Sequence, residues 1–299
     1  MAKGQRAQQA EVAIIGGSGL YDMDGFEQVR QTRIRTPFGD PSDAIVLGKL
    51  DGLPVAFLSR HGRGHRFSPS EINYRANIYA LKAVGVKRIL SVSAVGSMKE
   101  TIAPGHVVLP DQFIDLTKRR ETTFFEKGIV AHVSMADPIC PELSGLLGKA
   151  AESTGATVHR GGTYVCMEGP QFSSRGESLV YRQWRVDVIG MTNMPEAKLA
   201  REAEMCYATM ALPTDYDCWH ESEEAVSVEA ILGTLRKNMD LAKRILKRAI
   251  APACGPRACQ CGSALQYAIL TDPRAIPAAT QRRLALLIGR YVRAKKGGR

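Results

Sequence analysis

An α/β fold is predicted, one domain with a central mixed, largely parallel sheet flanked by helices, and three observations predict it. Apolar, β-branched runs alternate with helix-period segments almost throughout the chain. Several of these runs are continuously apolar, as strands covered on both faces are. The 299 residues suffice to bury one large core, and no repeat or low-complexity linker divides them.

Taken in order, strands are expected at 11–15, 43–49, 54–59, 88–92, 106–110, 162–167, 187–190 and 205–211. A helix opens at Ser68-Pro69-Ser70-Glu71, a capping box with proline at the first helical position, and stops at Gly85. Further helices are expected at 141–154, 174–184, 196–204 and 226–249. Residues 251–262, rich in Pro, Gly and Cys, form the one marked break in composition. The single domain spans 1–299, with its core in 8–270 and a basic helical tail in 271–299.

The net charge of +10 invites a nucleic-acid reading, but its distribution does not support one. Eight Lys/Arg residues and no acid lie between Pro273 and Arg299, so the rest of the chain carries only +2. The excess belongs to the tail, where Leu284, Leu287, Ile288 and Tyr291 share one face of a solvated or subunit-facing helix. No aromatic interleaving accompanies the basic residues. No apolar run reaches the length of a membrane span, and the start MAKGQRAQQAEV lacks the apolar stretch of a secretory signal. A cytoplasmic protein is expected. Of the seven cysteines, only Cys259-Gln260-Cys261 forms a motif. Without a second pair it lacks the spacing of a structural zinc site, so reduced, buried thiols and no metal are expected.

The stretch AIIGGSGL (13–20) opens like a dinucleotide fingerprint, with Gly17 and Gly19 as its first two glycines. The sixth position is Asp22, and the following YDMDGFEQ is a poor helix start. No helix macrodipole is then available for a pyrophosphate. A strand ending in glycines plus the Ser18 hydroxyl suits a small oxyanion, or simply a tight turn. Three other strand ends carry further anion ligands. Ser59-Arg60-His61-Gly62 offers a guanidinium and an imidazole, the first suited to bidentate contact with phosphate oxygens. Ser91–Ser97 offers small residues around Ser93 and Ala94 that let backbone N–H groups approach a ligand, and Gly190-Met191-Thr192 offers a hydroxyl. After the apolar strand at 205–211 come Asp215 and Asp217, which point the same way if the segment is extended.

Together these residues give the chain a close resemblance to the S-methyl-5′-thioadenosine phosphorylase family of the trimeric purine nucleoside phosphorylase superfamily. The matching stretches include IIGGSGL, TPFGDPSDAIVLGKL, RHGRGH, SPSEINYRANIYALK, SAVGSM, DQFID, MEGPQFSSR, MTNMPE and TDYDCWHESEEAVSV, in order from about residue 11 to 235. The resemblance implies a nucleoside phosphorylase fold and a reaction that splits S-methyl-5′-thioadenosine with inorganic phosphate as co-substrate and no cofactor. It places phosphate against Ser18, Arg60, His61, Ser93, Ala94 and Thr192. Ser18 and Ser93 stand where many members have threonine; the hydroxyl is kept and only χ1 stiffness is lost. Met191 and Phe172 would line the ribose and purine, with Ser173, Asp215 and Asp217 facing the base.

Expelling a purine needs a proton at the leaving base. The resemblance implies that Asp215 shares one with N7, which requires a raised pKa from burial or from its neighbouring carboxylate. Asp217 would accept from the exocyclic amino group and reject a 6-oxo purine, which sets acceptor against acceptor. The alternative, a 6-oxopurine nucleoside or methylthioinosine phosphorylase, is disfavoured on this ground. Val228, Ile231 and Leu232 fall at i, i+3 and i+4 on one helix face, which reads as a core stripe on pattern alone. The resemblance lays that face over the sugar's 5′ group. It also matches His132 to a residue supplied by a neighbouring subunit, implying a trimer or a dimer of trimers. Finally, it sets Cys140 and Cys206 where some heat-stable members have bridged cysteines. Those members also carry a C-x-C near the C-terminus, so disulfides among Cys140, Cys206, Cys259 and Cys261 enter as an implication of the family.

Overall fold

The computed structural model describes residues 10–220 and 228–292; the side chains of Ser18, Val29 and 228–232 lie outside the described set. Eleven strands form one sheet in the order β2-β3-β4-β1-β5-β10-β9-β7, with β11 on β5 and on β6, and β6 on β8. The strands are β1 (Val12–Gly16), β2 (Phe26–Thr32), β3 (Ile45–Leu50), β4 (Leu53–Ser59), β5 (Arg88–Ser97), β6 (Val107–Leu109), β7 (Gln112–Asp115), β8 (Val158–Arg160), β9 (Thr163–Cys166), β10 (Val188–Gly190) and β11 (Cys206–Tyr216). The helices are α1 (Tyr74–Ala83), α2 (Pro141–Glu152), α3 (Arg175–Gln183), α4 (Asn193–Glu202), α5 (Val228–Ala253), α6 (Ala278–Arg283) and α7 (Ala285–Ile288).

All eight expected strands form. The three that sequence patterning missed, β2, β7 and β8, are polar or short: β2 and β7 end the main strand path, and β8 pairs only with β6. Their residues gain strand geometry from a neighbour's ladder and not from an apolar run of their own. The central β1 (VAIIG) is buried along its whole length, consistent with parallel neighbours β4 and β5 and helices on both faces. α2 opens with Pro141 behind the Cys140 cap, and α3 opens with a full capping box from Ser174 and Glu177.

Two expectations change. The Ser68–Glu71 box closes a turn and not a helix: Glu71 Oε2 accepts from the Ser68 N–H at 2.9 Å, and the Glu71 N–H donates to the Ser68 carbonyl. Helix α1 begins later, behind the Asn73 side chain, which accepts from the Ala76 N–H. In the tail, Leu284, Leu287 and Ile288 are buried in the same hydrophobic cluster as β1, with Tyr291 packed against it. That face is therefore neither solvated nor held for another subunit. Arg283 reaches Glu126 at 3.2 Å and Arg290 reaches Glu204 at 2.8 Å, so part of the tail's positive charge is spent inside the chain. No helix among the described residues is long and apolar enough to cross a membrane.

Candidate active site

The position of the site follows from a change of neighbours along β5. On one edge β11 accompanies β5 throughout, from Arg88 to Ser97. On the other, β1 leaves at Ser91 and antiparallel β10 joins only at Gly96. Residues 92–95 thus have no ladder partner on that edge. Such switch points are where open α/β sheets receive ligands. A cavity of ≈ 790 Å³ opens there, lined by Ser93, Ala94, Val95 and Gly96 of β5 and by the residues after β1, β4 and β10.

One end of the cavity gathers Gly17, Arg60, His61, Ser93 and Thr192. Gly17 follows β1, and the Arg60 N–H donates to the Gly16 carbonyl at 3.0 Å, which ties the glycine loop to the end of β4. The loop continues as a 3₁₀ turn over Ser18–Tyr21 and not as a dinucleotide-binding helix. Ser93 Oγ lies 3.4 Å from Thr192 Oγ1 and 3.2 Å from the buried Tyr164 hydroxyl. Gly190 is required for this contact, since a Cβ there would sit 1.9 Å from the Tyr164 oxygen.

Arg60 behaves differently from the expectation of an open phosphate clamp. Its buried guanidinium is held bidentately by Glu196, Nε to Oε2 at 2.8 Å and Nη2 to Oε1 at 2.9 Å. It also donates to the Val92 carbonyl and the Ser91 hydroxyl. Four of its five N–H donors are therefore taken within the chain. Burial alone would weaken the cation, but the Glu196 carboxylate outweighs it and raises the guanidinium pKa. His61 is pushed down to about 4, chiefly by burial, with Arg60 adding to the effect. It is neutral at pH 7, and its Nδ1 lies 2.9 Å from the Phe67 carbonyl. That contact requires the proton on Nδ1 and leaves Nε2 as an acceptor. This end of the cavity thus presents the Ser93 and Thr192 hydroxyls, a neutral imidazole and an arginine whose charge Glu196 compensates.

The other end carries the two carboxylates. Asp215 pairs in register with Gly96, after a bulge between Pro213 and Asp215 that adds Thr214 to the strand. The Thr214 hydroxyl donates to Asp215 Oδ2 at 2.6 Å. Asp217 lines the same cavity and is buried, and that burial raises its carboxyl pKa. From Ser93 to Gly96 the strand advances roughly 10 Å, so the Ser93 end and the acid end are separated by about the span of a sugar.

Of the other predicted residues, Met191 and Phe172 reach the cavity wall. Phe172 is 83% exposed and stands at the mouth. Ser173 is absent from the wall; its hydroxyl lies 3.7 Å from Met167 Sδ. His132 is exposed and lines a separate cavity with Val130 and Glu202, away from this site. Val228, Ile231 and Leu232 have side chains outside the described residues; farther along α5, Leu235, Asn238 and Met239 line the cavity. All seven cysteines are free thiols. Cys206 Sγ and Cys259 Sγ approach to 3.3 Å without a bond. Sequence reasoning missed Glu196 and Tyr164, which orient Arg60 and Ser93. Glu196 stood inside the quoted MTNMPE stretch, but nothing local marks it as Arg60's partner across the chain.

A mixed, largely parallel sheet with a cavity at its switch point is the architecture of the nucleoside phosphorylase class, and the comparisons agree on that fold and class. The family model described as "Phosphorylase superfamily" matches residues 11–251. An S-methyl-5′-thioadenosine phosphorylase from Geobacter sulfurreducens is 60% identical over 282 residues, covering 94% of this chain and 99% of that protein. The crystal structure of a methylthioadenosine phosphorylase from an antarctic soil metagenomic library superposes with TM-score 0.90 at 55% identity, covering 93% of this chain and 99% of that one. A methylthioadenosine phosphorylase from Schistosoma mansoni, in complex with adenine, gives TM-score 0.79 at 35% identity over 94% of this chain and 98% of that one. The chain belongs to the S-methyl-5′-thioadenosine phosphorylase family of the phosphorylase superfamily.

Proposed function

We propose that the chain catalyses phosphorolysis of S-methyl-5′-thioadenosine to adenine and 5-methylthioribose 1-phosphate. The observation that carries this reading is one cavity lined by Arg60, His61, Ser93 and Thr192 at one end and by the carboxylates of Asp215 and Asp217 at the other. Inorganic phosphate takes the first end, against Ser18, Arg60, His61, Ser93, Ala94 and Thr192. Neutral His61 accepts a hydrogen bond from a phosphate hydroxyl at Nε2, and Arg60 offers its remaining Nη1 N–H.

A phosphate oxygen attacks C1′ of the sugar while the bond from C1′ to N9 breaks, its electron pair passing to the purine. Asp215, one oxygen held by Thr214, shares a proton with N7 and so neutralises the departing base. Asp217 accepts from the 6-amino group, which sets the preference for adenine over 6-oxo bases. Met191 and Phe172 lie along the sugar and base, with Ser173 supporting Asp217. Leu235 and Met239 of α5 line the cavity, and the family resemblance assigns Val228, Ile231 and Leu232, whose side chains lie outside the described residues, to the methylthio group. Phosphate is a co-substrate, and the reaction calls on no cofactor.

The same reading makes the protein a cytoplasmic homotrimer or a dimer of trimers, with His132 of a neighbouring subunit closing the 5′ end. The exposed apolar side chains of Val130 and Leu270, beside His132, support an interface there, because the Leu270 N–H donates to the Val130 carbonyl and joins both into one patch. Release of free base (adenine from S-methyl-5′-thioadenosine and adenosine, hypoxanthine from inosine), each with and without phosphate and with chelator, tests the proposal. Phosphate-dependent release, greatest for the methylthio substrate and absent for inosine, is expected; no free base from any of them overturns it.

A further inference from the structure

Far from the cavity, four cysteines from three segments converge. Cys140 caps α2, Cys206 opens β11, and Cys259 and Cys261 flank Gln260 at a 3₁₀ turn. Their four sulfur atoms all lie within 4.8 Å of one another, and three of the four residues are buried. A tetrahedral zinc ion with Zn–S bonds of about 2.3 Å holds its sulfurs about 3.8 Å apart, so the cluster already has nearly the required size. We propose that Cys140, Cys206, Cys259 and Cys261 form a structural four-thiolate site for one zinc-class divalent cation.

The surroundings match the charge that such a site carries. A divalent ion with four thiolates is a dianion, and binding releases the thiol protons. Arg201 Nη1 stands 3.7 Å from Cys261 Sγ, and Arg257 Nη1 stands 4.0 Å from Cys206 Sγ. These two cations balance the dianion. At the start of α2, the Leu143 N–H donates to Cys140 Sγ at 3.4 Å, a contact of the kind that orients and stabilises metal-bound sulfur.

The Cys259-Gln260-Cys261 loop is also held in place before any ion binds. Glu142 accepts from the N–H groups of Ala258 and Cys259, both at 2.9 Å. Buried Arg88 donates to the Gly255 and Pro256 carbonyls. An ion there would clip the segment after α5 to α2 and to the start of β11. From Cys206 to Asp215 the strand runs roughly 30 Å, so the clip lies at the opposite end of β11 from the chemistry. The spacing argument against zinc looked for a second pair close in sequence, whereas the fold supplies Cys140 and Cys206 from a distance.

The test is made on the full-length, untagged chain purified from zinc-supplemented cells. Elemental analysis is expected to find about one zinc per chain. Exchange with cobalt(II) is expected to give a sulfur-to-cobalt charge-transfer band and the strong visible bands of a tetrahedral site. A Cys259→Ser/Cys261→Ser variant should lose both signals while still releasing adenine at the wild-type rate below its melting temperature. If that variant does not fold, the wild-type cobalt spectrum decides. Zinc content well below one per chain with only the weak spectrum of hexaaquo cobalt overturns the proposal. So does a chain that, denatured with chelator, titrates fewer than its seven thiols, because the missing thiols are then in disulfides.

Discussion

Replacing Glu196 by glutamine removes one charge from a pair that water does not reach. Arg60 and Glu196 have side-chain exposures of 3% and 1%. Glu196 accepts from Arg60 twice, from Ser91 and from Tyr207, so every bond depends on an acceptor-only head group. Glutamine keeps the shape, but its amide presents donors to the guanidinium and leaves that cation uncompensated. Breaking a buried pair in this way costs about 3–5 kcal/mol. With an unfolding entropy of about 2.1 cal/mol/K per residue, that corresponds to a fall in melting temperature of roughly 5–8 °C. Phosphate supplies the missing negative charge, so saturating phosphate should raise the melting temperature of the variant more than that of the parent. Calorimetry with and without phosphate measures both effects. An Arg60→Met/Glu196→Met double variant should lose less stability than the two single replacements summed. Wild-type melting of Glu196→Gln, or strict additivity in the double variant, would refute the reasoning.

Three further outcomes are expected. Asp217→Asn should lower kcat/KM for the 6-amino substrate by about a hundredfold, the worth of one charged hydrogen bond of roughly 2–3 kcal/mol, and narrow its lead over the 6-oxo analogue; an unchanged ratio in a side-by-side assay counts against Asp217 as the base reader. Gly96→Ala places a Cβ 3.0 Å from Ile189 Cγ2 and 3.4 Å from Asp215 Oδ1, so KM for the nucleoside should rise, at about 1–3 kcal/mol of crowding, while KM for phosphate holds. The third concerns pH. With phosphate absent, folded His61 titrates near 4 and the unfolded ring near 6.5, so the unfolded chain binds more protons between these values and stability falls as pH drops through that window. His61→Asn, which keeps a donor toward Phe67, should flatten the dependence of unfolding free energy on pH between 4 and 6.5; an identical slope would show that His61 is not its source.

Residues that announced themselves did so through local pattern. Continuous apolar runs gave every central strand, and the failed dinucleotide fingerprint at Asp22 agrees with the 3₁₀ turn that follows Gly17. Arg60, His61, Ser93, Thr192, Asp215 and Asp217 were legible because each follows or occupies a strand whose apolar run could be read. The cavity gathers all six. The Ser68–Glu71 box misled because a turn and a helix start use the same first hydrogen bonds, and only the packing of Asn73 and Tyr74 separates them.

By itself, then, the sequence determined the strand and helix alternation, the family, and the residue types that meet phosphate and purine. Only the tertiary structure decided what those residues face. Glu196 meets Arg60 from 136 positions away, a pairing that no local period encodes. The bulge at Thr214 determines which side of β11 Asp215 presents, because one inserted residue exchanges the two faces of a strand. The tail's apolar face closes on its own core, and the four cysteines meet, for the same reason: contacts between distant segments depend on how the sheet and helices stack, and that is a property of the whole packed chain.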